Sequence, residues 1–192
     1  MYIITVLVAA AAACQAMSVP SPKLSTRRLF LAGAAAVPIA AHGPPASALG
    51  SAADKKRTGL SPTDIAAVVT SDVEERKFMV TADFDRTVYS EKCTFTDETN
   101  SFEINKFVSG TEKLFVGSAS SLRLTSPVVA TADAIDFTFA EELVFNIPLK
   151  PIVSLTGRMH MTRDSDGLID SYREYWDGGV SGVLKTARPS GV

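Results

Sequence analysis

Between Asp133 and Asp177 the chain alternates apolar and polar residues with a period of two, and a stretch written that way can fold into little other than a sheet with one buried face. Ile135, Phe137, Phe139, Leu143, Phe145 and Ile147 share the odd phase, while Asp136, Thr138, Glu142 and Asn146 occupy the even one. Pro148 and Pro151 break the ladder, and the odd phase resumes at Val153, Leu155, Met159 and Met161, with Gly157 among them. Asp164-Ser165-Asp166-Gly167 is a turn by composition, and Leu168 to Asp177 forms a third strand. Three long successive strands can make one curved sheet, and the segments upstream must cover it.

Ser61-Pro62-Thr63-Asp64 announces a helix, with Ser at the N-cap, Pro at N1 and an acid at N3. The spacing carries it to about Val80, burying Ile65, Val68, Val69, Val73, Phe78 and Met79 and leaving Asp72, Glu74, Glu75 and Lys77 outside. Thr81-Ala82-Asp83 reads as a break and a new cap, with a short second helix to Tyr89. A brief extended piece from Cys93 to Thr96 precedes a third helix, Phe102 to Val116, burying Phe102, Ile104, Phe107, Leu114 and Phe115. Leu122, Leu124 and Val128 supply a further strand interrupted by Ser126-Pro127. The expected class is α+β: three N-terminal helices packed on a curved antiparallel sheet.

Residues 1–48 contain no acid and only three basic residues, Lys23, Arg27 and Arg28. Tyr2 to Ala13 followed by Cys14-Gln15-Ala16 reads as a signal peptide over residues 1–17, too short to span a bilayer, which takes about 20 apolar residues. Residues 18–48 combine an acid-free, hydroxyl-rich segment with a second signal: Arg27-Arg28, an Ala-rich run, then Ala46-Ser47-Ala48. This part resembles a transit peptide followed by a twin-arginine thylakoid signal. Two signals in series resemble the addresses of thylakoid-lumen proteins in algae with secondary plastids; the alternative is a membrane anchor followed by an Ala-rich linker.

Cleavage after Ala48 of the 192-residue chain leaves 144 residues, read as a flexible lead-in (49–60), one domain (61–185) and a tail (186–192). With 16 of the 19 basic residues and all 21 acidic ones retained, the net charge is about −5, which argues against a nucleic-acid partner. Cys93 and His160 are the only residues of their kinds after the leader, so neither an intramolecular disulfide, nor a Ser-His-Asp triad, nor a metal site is supported. Apolar company makes Cys93 a buried thiol rather than a redox handle. His160 and Arg158 fall on the outer phase of their strand. Asp177-Gly178-Gly179 follows a strand but is not expected to open a helix, and no cofactor motif stands out.

The element order, with the segments Phe78 to Asp83, Val88 to Asp97, Asn146 to Ile152 with Gly157, and Tyr175-Trp176-Asp177, resembles the SnoaL-like proteins of plants, algae and cyanobacteria, in the NTF2-like superfamily. Coverage is about residues 62 to 185, in several short motifs. Glu98 stands where the family signature has proline. The resemblance implies a cone-shaped fold with a pocket. It selects no reaction, because isomerases, cyclases, dehydratases and simple binders share that fold.

Glu141 is the sharpest candidate for chemistry, since it occupies the apolar phase between Phe139 and Leu143, where burial would raise its pKa and make it a general acid or base. A β-bulge at Glu141-Glu142 would instead turn both to solvent. Asp97 is either a second pocket acid or a cap for the following helix. Tyr89, Phe137, Phe139, Phe145, Met159, Tyr172 and Trp176 are candidates to line a cavity or to fill the core. An inward Glu141 would be protonated, bonded to a tyrosine such as Tyr172, or in water. Three functions fit: a thylakoid-lumen binding or assembly factor for a pigment, lipid or photosystem-related partner, an isomerase, cyclase or dehydratase using a pocket carboxylate, or a structural homodimer subunit. The expected partners are a small hydrophobic ligand or a thylakoid protein, with peripheral membrane contact and pairing through the outer sheet face.

Overall fold

The computed structural model describes residues 54–190, so the signals, their cleavage sites and the start of the lead-in lie outside the described residues. Helix α1 spans Pro62–Glu74 and begins as its cap dictates. Ser61 Oγ accepts from the Asp64 backbone N–H at 3.2 Å and donates to Asp64 Oδ2 at 2.6 Å, a cap contributing about 1 kcal/mol. The helix ends short of Val80, because Lys77 takes a left-handed φ of 55° and a separate turn, α2 (Phe78–Thr81), follows. After that break Phe78, Met79 and Val80 are all buried. Asp72, expected outside, is fully buried.

The second helix expected up to Tyr89 is only a 3-10 turn, Arg86–Val88, capped by Asp85, whose Oδ1 accepts from the Thr87 backbone N–H at 3.1 Å. Tyr89 instead opens β1 (Tyr89–Thr96), longer than the expected stub, and a tight turn leads into β2 (Ser101–Glu103). Phe102 therefore belongs to a strand, and α3 spans Ile104–Leu114. Strands β3 (Ser121–Leu124), β4 (Val129–Ala130), β5 (Ala134–Val144), β6 (Ile152–Arg163) and β7 (Ile169–Trp176) complete the sheet.

The architecture is α+β, a seven-stranded sheet in the order β2-β1-β7-β6-β5-β3, with β4 also on β5. It is mixed rather than antiparallel, since β1 runs parallel to β7, with Phe95 beside Tyr172. The long crossover between them makes this possible. The β5–β6 ladder is unbroken from Ala134–Thr162 to Val144–Ile152, and Glu141 stands opposite Leu155. No bulge forms at Glu141-Glu142, so Glu141 stays on the inward phase. A side chain at Gly157 would put its Cβ 2.3 Å from the Tyr175 carbonyl oxygen and 3.1 Å from the Phe139 ring, so only glycine lets β6 approach that closely.

Both ends of the described segment are tied down. Arg57 N–H donates to Thr87 O at 3.0 Å and Gly59 N–H to Asp166 O at 2.9 Å, so this part of the lead-in is anchored rather than loose. After β7, Gly178 and Gly179, with φ of 75° and 58°, reverse the chain into a helix, α4 (Gly179–Lys185), against the expectation of none. Beyond it, Arg188 and Ile152 exchange backbone hydrogen bonds at 3.0 and 2.8 Å, which makes the tail an extension of the sheet.

Candidate functional site

A cavity of about 670 Å³ opens between the β1–β2 hairpin, α3, α4 and the inward residues of β5, β6 and β7. Its walls are mainly apolar: Phe95, Phe107, Phe115, Leu143, Phe145, Val153 and Leu155, with Val180, Val183 and Leu184 from α4. Phe95 and Phe107 stack at 4.1 Å between centroids and 12° between planes, and Tyr172 adjoins Phe95 at 5.0 Å. Stacked rings held from a strand and a helix make a rigid wall.

Two buried carboxyl groups, Glu141 and Glu174, break that apolar lining. Glu141 is 6% exposed, lines the cavity, and its buried Oε1 has no hydrogen-bond partner. Burial raises its pKa well above the ordinary carboxylate value, and the nearby Glu174 raises it further, which favours the neutral acid over the carboxylate. Glu174, 8% exposed, is engaged on both oxygens: Trp176 Nε1–H donates to Oε1 at 2.8 Å and the Tyr172 hydroxyl donates to Oε2 at 3.1 Å. Glu174 is raised to about 7, chiefly by desolvation, with the Trp176 and Tyr172 donors opposing the rise and Asp97 and Glu98 adding to it. The pair thus holds a proton donor without a partner and a proton acceptor poised at neutrality. Tyr172 bonds Glu174 rather than Glu141.

Asp97 also lines the cavity, but its Oδ1 accepts from Thr99 N–H at 2.6 Å, Thr99 Oγ1–H at 2.7 Å and Asn100 N–H at 2.8 Å. It therefore ties the hairpin turn rather than capping helix α3, whose N-cap position is held by Glu103 without a side-chain capping hydrogen bond. Of the residues expected at the wall, Glu141, Asp97, Phe145, Tyr172 and Trp176 are there. Tyr89, Phe137, Phe139 and Met159 are packed instead in the solid core beneath the helices, where Phe137 and Phe139 meet edge to face at 6.4 Å.

Glu174 was not among the sequence candidates, although Tyr172-x-Glu174-x-Trp176 carries the same signal as Phe139-x-Glu141-x-Leu143: an acid in phase with aromatic or apolar neighbours. The α4 wall had no comparable signal.

A third buried acid lies outside the cavity. Asp72, fully buried, accepts at Oδ1 from the Asp85 backbone N–H at 3.0 Å and is paired with Arg76, while Asp72 Oδ2, Asp83 Oδ1 and the Tyr89 hydroxyl have no partner. Desolvation raises its pKa to about 7 against those stabilising contacts. Cys93 is buried, its thiol pushed up to about 12 by desolvation and by Asp170. His160 lies on the outer face, 2.8 Å from Asp136. Among the described residues no group of three or more His, Cys, Asp and Glu side chains could hold a metal ion, and no helix is long and apolar enough to cross a membrane.

No family model matches the chain, and no curated protein matches it. Among solved structures it is similar to AclR of Streptomyces galilaeus (16% identity over 61% of this chain and 77% of that one, TM-score 0.45). It is also similar to an NTF2-like protein of unknown function from Exiguobacterium sp. 255-15 (15% identity, 48% and 80%, TM-score 0.40). A third is TerC, crystallised with polyporic acid (11% identity, 65% and 99%, TM-score 0.46). No residue role is carried across from these proteins.

Proposed function

We propose that the cavity binds a largely apolar small molecule bearing a hydroxyl or carbonyl and exchanges a proton with it through Glu141 and Glu174. This is the chemistry of a cofactor-independent isomerase, cyclase or dehydratase. One observation carries the reading: Glu141 is buried in an apolar wall with an oxygen, Oε1, that no group among the described residues engages. Burying such a group costs about 1–3 kcal/mol, a cost a ligand hydroxyl or carbonyl would offset. Neutral Glu141 donates to the ligand oxygen, while ionised Glu174, held by Trp176 and Tyr172, accepts a proton from a neighbouring position. Glu141→Gln keeps the shape and a donor but removes the transferable proton. Purified protein should therefore retain extractable ligand, read by mass spectrometry, while any turnover of it falls about 100-fold. Equal turnover in wild type and variant would remove Glu141 from the chemistry.

A retained-ligand role without turnover is the second reading, favoured by the apolar lining from α3 and α4. It corresponds to a binding or assembly factor for a pigment, lipid or photosystem-related partner. The element order, helices then a curved sheet around one cavity, supports placing the chain among the SnoaL-like proteins of the NTF2-like superfamily. We propose further that the mature chain starts after Ala48 in the thylakoid lumen, on the acid-free leader and Arg27-Arg28. Replacing both arginines by lysine should leave the protein on the stromal side, and normal lumenal import would refute the twin-arginine route. Homodimerisation through the outer face, where Arg158 and Arg173 flank the Tyr175 ring at 4.2 and 5.0 Å, completes the proposal. Light scattering at micromolar concentration should show twice the monomer mass, and a monomer would refute it.

A further inference from the structure

The charges around the cavity are of one sign on the inside. The β1–β2 hairpin brings Asp97 and Glu98, β5 brings Glu141 and β7 brings Glu174. The only cations in the lining are Lys106 and Lys113 on α3, both exposed residues, with Lys106 Nζ drawn 5.5 Å over the Phe102 ring. Helix α4 contributes apolar side chains alone. An acid cluster by itself is no site. Here, however, Glu141, 6% exposed, faces the cavity with Oε1 unengaged, so the wall is complete only when another molecule supplies the missing group. Beside the acids stand Phe95, Phe107, Tyr172 and Trp176, rings whose faces attract positive charge.

We infer that the molecule this cavity takes carries a protonated amine on its apolar body, the ammonium lying by Glu174, Asp97 and Glu98 while Glu141 meets its uncharged oxygen. This rests on the reading of the cavity as a small-molecule site and narrows the ligand to amphiphilic organic cations. The three carboxylates gain a counter-charge and the rings gain a cation, whereas a carboxylate ligand would meet four acids with no buried base to receive it.

The test is titration calorimetry of the full-length protein with octylamine, octanol and octanoate, which share one chain and differ in head-group charge. Octylammonium should bind about tenfold tighter than octanol at pH 8, and octanoate weakest of the three. Its affinity should fall towards pH 6 as Glu174 takes up its proton near 7, while octanol binding stays level. Glu174→Gln, checked for folding by circular dichroism, should abolish both the preference and the pH slope; Glu98→Gln, in the turn, should weaken the preference about twofold. Octanol or octanoate binding as tightly as octylammonium overturns the amine assignment and leaves the cavity reading intact. An ammonium preference unchanged in Glu174→Gln overturns the assignment too. No binding of any of the three overturns the cavity reading itself and the amine with it.

Discussion

Asp72 on α1 and Glu141 in the cavity are both buried carboxyl groups that desolvation pushes upward, yet they differ in what lies around them. Asp72 holds Arg76 and the Asp85 backbone N–H, so it ties α1 to the segment that leads into β1. Glu141 has no partner for its Oε1 and a cavity in front of it. A buried acid with one oxygen engaged by its own chain, as Asp72 is through Oδ1 while its Oδ2 goes unpartnered, holds the fold; one whose unpartnered oxygen lies beside open volume, as in Glu141, is available to a ligand. Glu174 stands between these cases, engaged by Trp176 and Tyr172 yet lining the cavity, so its two donors fix an acceptor in place rather than joining two elements.

The comparison breaks most readily on stability. Asp72→Ala leaves the Asp85 N–H and the Arg76 guanidinium without their buried acceptor and should lower unfolding free energy by about 3 kcal/mol in urea. Glu141→Gln removes no intramolecular hydrogen bond of Oε1 and should change it by less than about 0.5 kcal/mol. A larger loss for Glu141→Gln than for Asp72→Ala would invert the assignment of roles.

Next in size is the dependence on pH. Asp72 rises from 3.8 to about 7 and Glu174 from 4.5 to about 7 on folding, while Glu141 rises well above 4.5, so the folded chain holds these protons more tightly than the unfolded one. The stability they contribute is fully present below the unfolded values and is lost as pH rises through the folded ones. Glu91, lowered chiefly by its hydrogen bond to Arg86, works in the opposite direction, losing its contribution only in acid. Urea midpoints should therefore fall from pH 5 to pH 8, by an amount equivalent to about 2 kcal/mol, and Asp72→Asn should flatten part of that slope. Midpoints that climb over this range would show that the buried acids are solvated.

The smallest effect belongs to an exposed control. His160 and Asp136 pair at 2.8 Å with side chains 39% and 57% exposed, so Asp136→Ala should cost less than about 0.5 kcal/mol in the same urea assay. A loss as large as that of Asp72→Ala would mean that the outer face is covered in solution.

Much of the sheet was legible because a period of two leaves one choice of buried face once one side is apolar. Ile135, Phe137, Phe139, Leu143, Phe145, Val153, Leu155, Met159 and Met161 are all buried as the alternation requires. Local chemistry also specified the Ser61 cap and the Gly167 turn, where φ is 77°. The break at Ala82 falls where Thr81-Ala82-Asp83 reads as one, but the break at Lys77 was not legible: that residue adopts left-handed backbone without being glycine, which local propensity disfavours and which the burial of Phe78, Met79 and Val80 together compensates.

The candidate site divides along the same line. Alternation within single strands put Glu141 in the apolar phase and would have put Glu174 there too, because side-chain direction along a strand is local, but only the unbroken β5–β6 register removed the alternative of a bulge at Glu141-Glu142. Whether that face ends in solid core or in a cavity was decided only by tertiary structure. Tyr89, Phe137, Phe139 and Met159 share the aromatic and apolar character of Phe145, Tyr172 and Trp176, yet only the latter three meet the open volume. The parallel pairing of β1 with β7, the hairpin carrying Asp97 and Glu98, and α4 folding back after Gly178 bring those walls together. Residues far apart in the chain make that cavity, and no local periodicity encodes their meeting.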